Sequence, residues 1–422
     1  MKTAFPFRFS ILLFYFFIQF TVTAQQLVKV SPEEVGMSSE RLERLSQTFQ
    51  DYIDEEKLPG ATILVARKGK IAYLKSFGKN DIESNIPMNE GSIFRIASQT
   101  KAIVSVGVMM LQEQGKLLIT DPVGKYMPAF METKVAIEKE DGSYEIVPAE
   151  RPITIRDLLT HTSGASYGYG IAGDLWGKAK IQGWYFADRD EPIQATVNRM
   201  ADLPFESQPR SKFVYGYNTD ILGALIEVVS DKNLDVFLKE NILDPLGMED
   251  THFYLPKNKR ERLATVYSAT ENGLERAPDN GGMVGQGAYV DGPRKSFSGG
   301  AGLLSTASDY TKFLQMMLNK GEFNGKRIIS PKTVELMTTN HLPFPLGEGA
   351  GFGLGFSTVE DLGLRGELGS EGEFAWGGAY HSTYWADPKE EMTVVYFTQL
   401  IPANDLDDHG KLRALIYQAI ID

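Results

Sequence analysis

The chain of 422 residues contains no cysteine. That absence excludes disulfide staples, thiolate-ligated zinc, iron–sulfur clusters and a thiol nucleophile together. Histidine is nearly as scarce. The five residues His161, His252, His341, His381 and His409 are widely spaced, with no H-x-x-x-H pair to put two ligands on one helical face. No dedicated metal site is expected. Dense basic runs are missing as well. With 43 Lys and Arg against 55 Asp and Glu, the formal net charge is −12. Such a chain lacks the electrostatic footprint of a nucleic-acid binder and is disfavoured at anionic lipid surfaces. Repeats and low-complexity tracts are also absent. What remains is an ordinary globular composition, 42% hydrophobic and 23% charged, at a length that calls for two or three domain-sized units or one large core with an insertion.

The one long apolar run stands at the N-terminus. Lys2 and Arg8 precede Ile11–Phe20, and Val22-Thr23-Ala24 follows with small residues at the −3 and −1 positions of a cleavage site. This is the pattern of a signal peptide over residues 1–24. Phe9 to Ala24 is 16 residues, short of the roughly 20 that span a bilayer. Export to the periplasm or the exterior is therefore expected, with no stable membrane anchor after cleavage; an uncleaved anchor is the alternative.

Beyond the leader, Leu42, Leu45, Phe49 and Ile53 recur at helical spacing, with Ser39 as a candidate cap. Ala61–Lys68 and Lys70–Phe77 form a predicted hairpin about Gly69. A helix is predicted from Ser98 to Gln114, stopped by Gly115. Further helices are expected over Asp220–Val229, Leu234–Asn241, Ser308–Asn319 (capped by Ser308) and Lys411–Ile421. Tyr380–Ala386 and Met392–Gln399 read as strands. Strands at both ends with helices between predict an α+β fold, in which one antiparallel sheet is assembled from both chain ends with flanking helices. The expected division is residues 25–120 together with 293–422 as the sheet domain. Residues 121–292 would be an inserted, mainly helical and loop domain.

Three segments carry candidate chemistry. In Phe94-Arg95-Ile96-Ala97-Ser98-Gln99-Thr100-Lys101, the i, i+3 spacing puts Ser98 and Lys101 on one helical face. Burial there is expected to lower the lysine pKa and make a neutral amine available to the serine. The helix N-terminus would supply N–H groups for a developing oxyanion. In Phe213–Gly223, Tyr215 could relay protons beside such a pair. In Phe374–His381, Gly377 and Gly378 at a strand start would let a ligand approach the backbone.

In this order and spacing the segments resemble the β-lactamase-related serine hydrolase superfamily, which takes in class C β-lactamases, DD-peptidases, D-aminopeptidases and family VIII carboxylesterases. The likeness extends to Thr154-Ile155-Arg156-Asp157-Leu158-Leu159-Thr160-His161-Thr162-Ser163-Gly164, Leu243-Asp244-Pro245-Leu246-Gly247-Met248 and Ser298–Thr306. The resemblance implies a β-lactamase/transpeptidase-like fold. It makes Ser98 the nucleophile, Lys101 its base partner and Tyr215 the second-motif tyrosine. The oxyanion donors would be the backbone N–H groups of Ser98 and Ala379. Trp376, Gly377, Gly378, Asn218 and His381 would bind substrate, and no cofactor or metal is implied.

Two positions depart from the lactamase pattern. Tyr217 stands where Asn is wanted, with Asn218 one residue late, and Trp376-Gly377-Gly378 replaces Lys-Thr-Gly. His381-Ser382-Thr383 offers a second register for that third motif. The expected activity is an esterase-like hydrolase working through an acyl-enzyme on a small-molecule ester or amide. The rivals are a β-lactamase or D-amino-acid peptidase, and an acylating penicillin sensor without turnover. His161 is expected to be structural, and the frame is not expected to be an α/β-hydrolase built on a G-x-S-x-G elbow. Trp176, Trp184, Tyr167 and Tyr169 either wall the cleft or pack among themselves. Mass spectrometry of exported protein should find Gln25 at the mature N-terminus; retention of Met1 would contradict the leader assignment.

Overall fold

A computed structural model describes residues 27–404 and 406–422, so the leader assigned to residues 1–24 lies outside the described residues. Eight strands form one sheet: β1 (Gly60–Arg67), β2 (Lys70–Asp81), β3 (Ile86–Pro87), β4 (Ala350–Phe352), β5 (Ser357–Val359), β6 (Phe374–Gly378), β7 (Ser382–Asp387) and β8 (Met392–Thr398). Their order is β4-β5-β6-β7-β8-β1-β2-β3. Every neighbouring pair is antiparallel. The sheet is thus built from both chain ends, with β1 hydrogen-bonded to β8 at its centre. Every residue of these two strands is buried. That burial on both faces is why the strands do not alternate apolar with polar residues and carry the apolar runs Ile63–Ala66 and Val394–Phe397.

The strand period of two sends alternate side chains to two cores. Ile63 and Val65 of β1 join Tyr396 of β8 beneath helices α1 (Ser39–Asp54) and α5 (Asp408–Tyr417). Leu64, Val395 and Phe397 face the other side, toward α2 (Thr100–Glu113), α3 (Asn218–Ser230) and α4 (Ala307–Leu318). That second core continues without a break into 121–292, taking in Leu159, Trp176, Phe205 and Leu225.

Most expected elements are present, with shifted ends. The cap of α1 is Ser38, not Ser39: the Arg41 N–H donates to Ser38 Oγ at 3.2 Å. Likewise α4 is capped by Thr306, not Ser308, through the Asp309 N–H at 3.1 Å. In both cases the hydroxyl sitting in extended backbone just before the helix is the one that can fold back onto N3. The expected strand Tyr380–Ala386 begins at Ser382, because Gly378 pairs with Ser382 and Ala379-Tyr380-His381 forms the connection. His381 there has φ +61°. Two hairpins not anticipated in 121–292 pair Lys134–Glu138 with Tyr144–Pro148 and Tyr267–Thr270 with Gly273–Arg276. No described helix is long and apolar enough to cross a membrane.

A buried ion pair fixes α5 to the residue that leads into β6. Arg413 donates to both carboxylate oxygens of Glu373, at 2.8 and 2.7 Å, and Tyr417 Oη donates to the same carboxylate at 2.9 Å. Removing one partner leaves a buried charge uncompensated, which costs about 3–5 kcal/mol. Glu373→Ala should therefore lower unfolding stability by about that amount in urea titration, and a loss below about 1 kcal/mol would contradict this role.

Candidate active site

Ser98 lies in a 3-10 turn (Ala97–Gln99) that feeds directly into α2. The preceding Ala97 is buried with φ +43°. A non-glycine residue in that region stores backbone strain, which surroundings must hold in place. Here the strain presents a half-buried Ser98 at the head of the helix. Lys101 follows one turn later, and its Nζ donates to Ser98 Oγ at 3.2 Å, to Tyr167 Oη at 3.0 Å and to the Gly300 carbonyl at 2.7 Å. The ammonium also lies 4.6 Å from the centroid of the Tyr215 ring.

The expectation of a lowered lysine pKa is corrected here. Burial does work against the charge, but Tyr167, Tyr215 and Asp220 around it hold Lys101 above its ordinary value. The carbonyl of Gly300 and the two rings replace the lost hydration shell. Behind this group Asp220 is fully buried, and burial raises its pKa. One of its oxygens accepts from Ser298 Oγ (2.6 Å) and from the Gly300 N–H (3.0 Å), while the other has no partner. A Cβ at position 300 would collide with that carboxylate, so only glycine lets the Ser298–Gly300 segment bring its carbonyl to the lysine.

Tyr215 is brought to the site, though by a different contact from the one expected. Its Oη accepts the indole N–H of Trp376 at 2.9 Å. Trp376, Gly377 and Gly378 of β6 line the cavity with Ser98, and so do His381 and Ser382 of the alternative register. Ser382 of the alternative register is tied to the Ser98 turn through Gln99 Nε2 at 2.9 Å. Gly378 has its own reason to be glycine, since a Cβ there would sit 2.6 Å from the Ile96 carbonyl. Close approach of β6 to the turn brings Ala379 to the cavity that Ser98 also lines. The backbone N–H groups of Ser98 and Ala379 make no hydrogen bond to the protein among the described residues.

Asn218 is not brought to the cleft. It is fully buried, donating to His161 Nδ1, the Ala165 carbonyl and the Val214 carbonyl at 3.0–3.1 Å and accepting from Ser163 Oγ. Every hydrogen bond it can make holds the loop around His161, so its expected substrate role is corrected to a structural one. His161 is held well below its ordinary pKa by burial and by Lys101, and its ring packs on Tyr215 at 4.7 Å. Tyr217 is equally closed off: its phenol donates to the Gly183 carbonyl at 2.7 Å and its ring stacks on Trp176. Trp176 is therefore core packing, whereas Trp184 and Tyr167 line the cavity. Tyr169 is exposed and does not line it. His381 lines the cavity and accepts no role in the proton chemistry of Ser98 from any contact seen.

Sequence reasoning missed Tyr167 as the lysine's partner, and Gly300 and Asp220 as its supports. The Gly299-Gly300 pair was the one available signal, since adjacent glycines mark a close backbone approach. The exclusion of a G-x-S-x-G string also needs correction, because Gly164-Ala165-Ser166-Tyr167-Gly168 is one. Its serine is buried, and Ser166 Oγ accepts the Gly168 N–H at 3.1 Å in a local turn. The string brings Tyr167 to Lys101.

A family profile described as Beta-lactamase matches residues 45–418. An uncharacterized protein of Mycobacterium tuberculosis is 32% identical over 373 residues, 85% of this chain and 90% of that protein. Esterase EstB of Burkholderia gladioli is 30% identical over 368 residues, 84% of this chain and 89% of that protein. Among solved structures, EstCE1, a hydrolase with promiscuous acyltransferase activity, superposes with a TM-score of 0.78 at 27% identity, covering 90% of this chain and 99% of that one.

Two serines now compete for one role, and substitution separates them. Ser98→Ala should abolish ester turnover, a loss of at least about 10³-fold, while Ser166→Ala should keep it within about threefold. The reverse pattern in a p-nitrophenyl ester assay would overturn the assignment.

Proposed function

This chain belongs to the β-lactamase family, and we propose that within it the protein is an exported serine hydrolase that cleaves esters through an acyl-enzyme on Ser98. The observation that carries the reading is the hydrogen bond from Lys101 Nζ to Ser98 Oγ at the floor of an open cavity of about 570 Å³. Two further features of that cavity support it: an oxyanion site and mostly apolar walls.

With Lys101 resting as an ammonium, the lysine and the neighbouring phenols act as one proton-holding unit. In its reactive form this unit holds one proton fewer, with Tyr215 Oη, which also takes the Trp376 N–H, as its acceptor atom. Tyr215 accepts the Ser98 proton as Oγ attacks the ester carbonyl, and the carbonyl oxygen gathers charge between the N–H groups of Ser98 and Ala379. Collapse of the tetrahedral intermediate expels the alcohol, which takes the proton back from Tyr215. Water then repeats the cycle on the acyl-enzyme and frees the acid. Tyr167 holds the lysine in position throughout.

Ester over lactam follows from what the site lacks. Tyr217 is spent on Gly183, Asn218 is spent on its own loop, and Trp376 stands in place of a cation. No group is left at these positions to pair a lactam's side-chain amide and carboxylate, and each unpaired buried polar group costs roughly 1–3 kcal/mol. A short-chain aryl ester, whose alkoxide leaves readily, needs neither contact. The value of kcat/KM on p-nitrophenyl butyrate should exceed that on a chromogenic cephalosporin by about 10²–10⁴-fold. Comparable values would refute the reading and favour a β-lactamase; a stoichiometric burst without turnover on either would favour a sensor.

A further inference from the structure

A second cavity, of about 700 Å³, shares no lining residue with the one above Ser98. Arg95 lines it, three positions before the nucleophile, and is only 3% exposed. Pairing of Phe94–Arg95 with Leu304–Ser305 fixes its backbone. Gln399 clasps the same residue from both sides, its Oε1 accepting the Arg95 N–H at 3.0 Å and its Nε2 donating to the Arg95 carbonyl at 3.1 Å. The guanidinium is held along one edge. Nε donates to the Gln286 carbonyl at 2.8 Å, and Nη1 donates to the Ala264 carbonyl at 2.6 Å and to Gln399 Oε1 at 3.2 Å. Nη2 has no hydrogen-bond partner among the described residues.

A buried cation without a counter-charge is costly. Burial holds Arg95 below its ordinary pKa, and the groups acting next on its charge are the phenols of Tyr380, Tyr289 and Tyr185 and a second guanidinium, Arg276. Tyr185 also lines the cavity. Its Oη accepts the Ala288 N–H at 2.5 Å, while its own O–H has no acceptor among the described residues. Burial pushes that phenol up to about 12, so it stays a donor. Five carboxylates line the same cavity, those of Asp81, Asp188, Glu261, Asp279 and Asp291. Three are already paired: Arg276 takes Asp81 and Asp279 at 3.1 and 3.4 Å, and Arg260 takes Asp291 at 2.5 Å. Asp188 and Glu261 are exposed and have no ion-pair partner among the described residues. The unpaired positive charge is therefore deep and the unpaired negative charges are at the mouth. Ile86, Leu263 and Val290 supply apolar wall.

We propose that this cavity is a binding site for a short zwitterion, an ω-amino acid or a small peptide, whose carboxylate pairs with Arg95 Nη2, with Tyr185 as a further donor, and whose ammonium faces Asp188 and Glu261. A plain anion meets two unpaired carboxylates on the way in, and a plain amine meets a buried guanidinium at the end. Each charge alone is opposed, and the two together are accommodated. No bond is made or broken, and the site stands whether or not Ser98 cleaves esters.

The test is calorimetric titration of the full chain at low ionic strength, where exposed charges are least screened. The probes are γ-aminobutyrate, ε-aminohexanoate and triglycine, each beside one analogue without the ammonium and one without the carboxylate: butyrate and butylamine, hexanoate and hexylamine, N-acetyltriglycine and triglycine amide. At least one zwitterion should bind about tenfold tighter than both of its analogues. Asp188→Asn combined with Glu261→Gln should weaken that zwitterion about tenfold and leave its ammonium-free analogue no weaker. Arg95→Gln should abolish binding; where that variant loses its cooperative unfolding transition, the Asp188 and Glu261 comparison decides. A crystal of the complex should show the carboxylate beside Arg95. No binding by any of the three, an analogue as tight as its parent, an affinity untouched by the Asp188 and Glu261 exchanges, or a ligand found above Ser98 instead overturns the proposal.

Discussion

A buried ammonium governs the architecture around Ser98. Lys101 is almost fully buried, and no carboxylate lies within ion-pair distance of it among the described residues. The protein must therefore supply hydration substitutes, and it does so from three distant parts of the chain and from the serine one turn away. The Gly300 carbonyl, the Tyr167 phenol, the Tyr215 ring and Ser98 itself each come from a different segment. The two glycines at 299 and 300, the His161 loop braced by Asn218 and the strained Ala97 all serve that convergence. A buried charge that is satisfied only by geometry is costly to misplace. Its surroundings are accordingly rigid, polar at single atoms and otherwise packed.

How much of this was legible follows from the range of each interaction. The sheet could be read because β1 and β8 carry continuous apolar runs and the Lys68-Gly69 turn is local. Ser98 and Lys101 could be read because they share one helical turn. Tyr167 could not, because its link to Lys101 spans 66 positions and leaves no periodic trace. The Asn218 assignment failed for a related reason. Sequence places a side chain beside a motif, but only packing decides whether it faces the cleft or the loop behind it. The misjudged lysine has the same origin, since burial alone predicts a fall in pKa and the countering rings are visible only in three dimensions. Histidine spacing likewise hid the meeting of His381 with His409, which the turn between β6 and β7 and the start of α5 bring face to face.

The walls of the site describe a preference as clearly as its floor describes a reaction. Where the lactamase pattern would set an amide and a cation, this chain sets Tyr217 and Trp376, one sealed into the core and the other hydrogen-bonded to Tyr215. The indole does two things at once: it gives the cleft an apolar face and holds the Tyr215 phenol. Under the proposed reading recognition and catalysis share a residue, and a change at Trp376 would move both.

The central claim is that chemistry passes through a covalent ester on Ser98, and trapping that ester tests it most directly. Arg95 and Lys101 flank the serine with two tryptic sites, so digestion releases Ile96–Lys101 as one short peptide. Rapid acid quench of enzyme mixed with a slowly hydrolysed aryl ester, followed by peptide mass spectrometry, should show this peptide heavier by one acyl group. The adduct should form within the burst and decay as substrate is exhausted. An adduct on Gly164–Gly168, or steady turnover with no adduct on any peptide, would contradict the account.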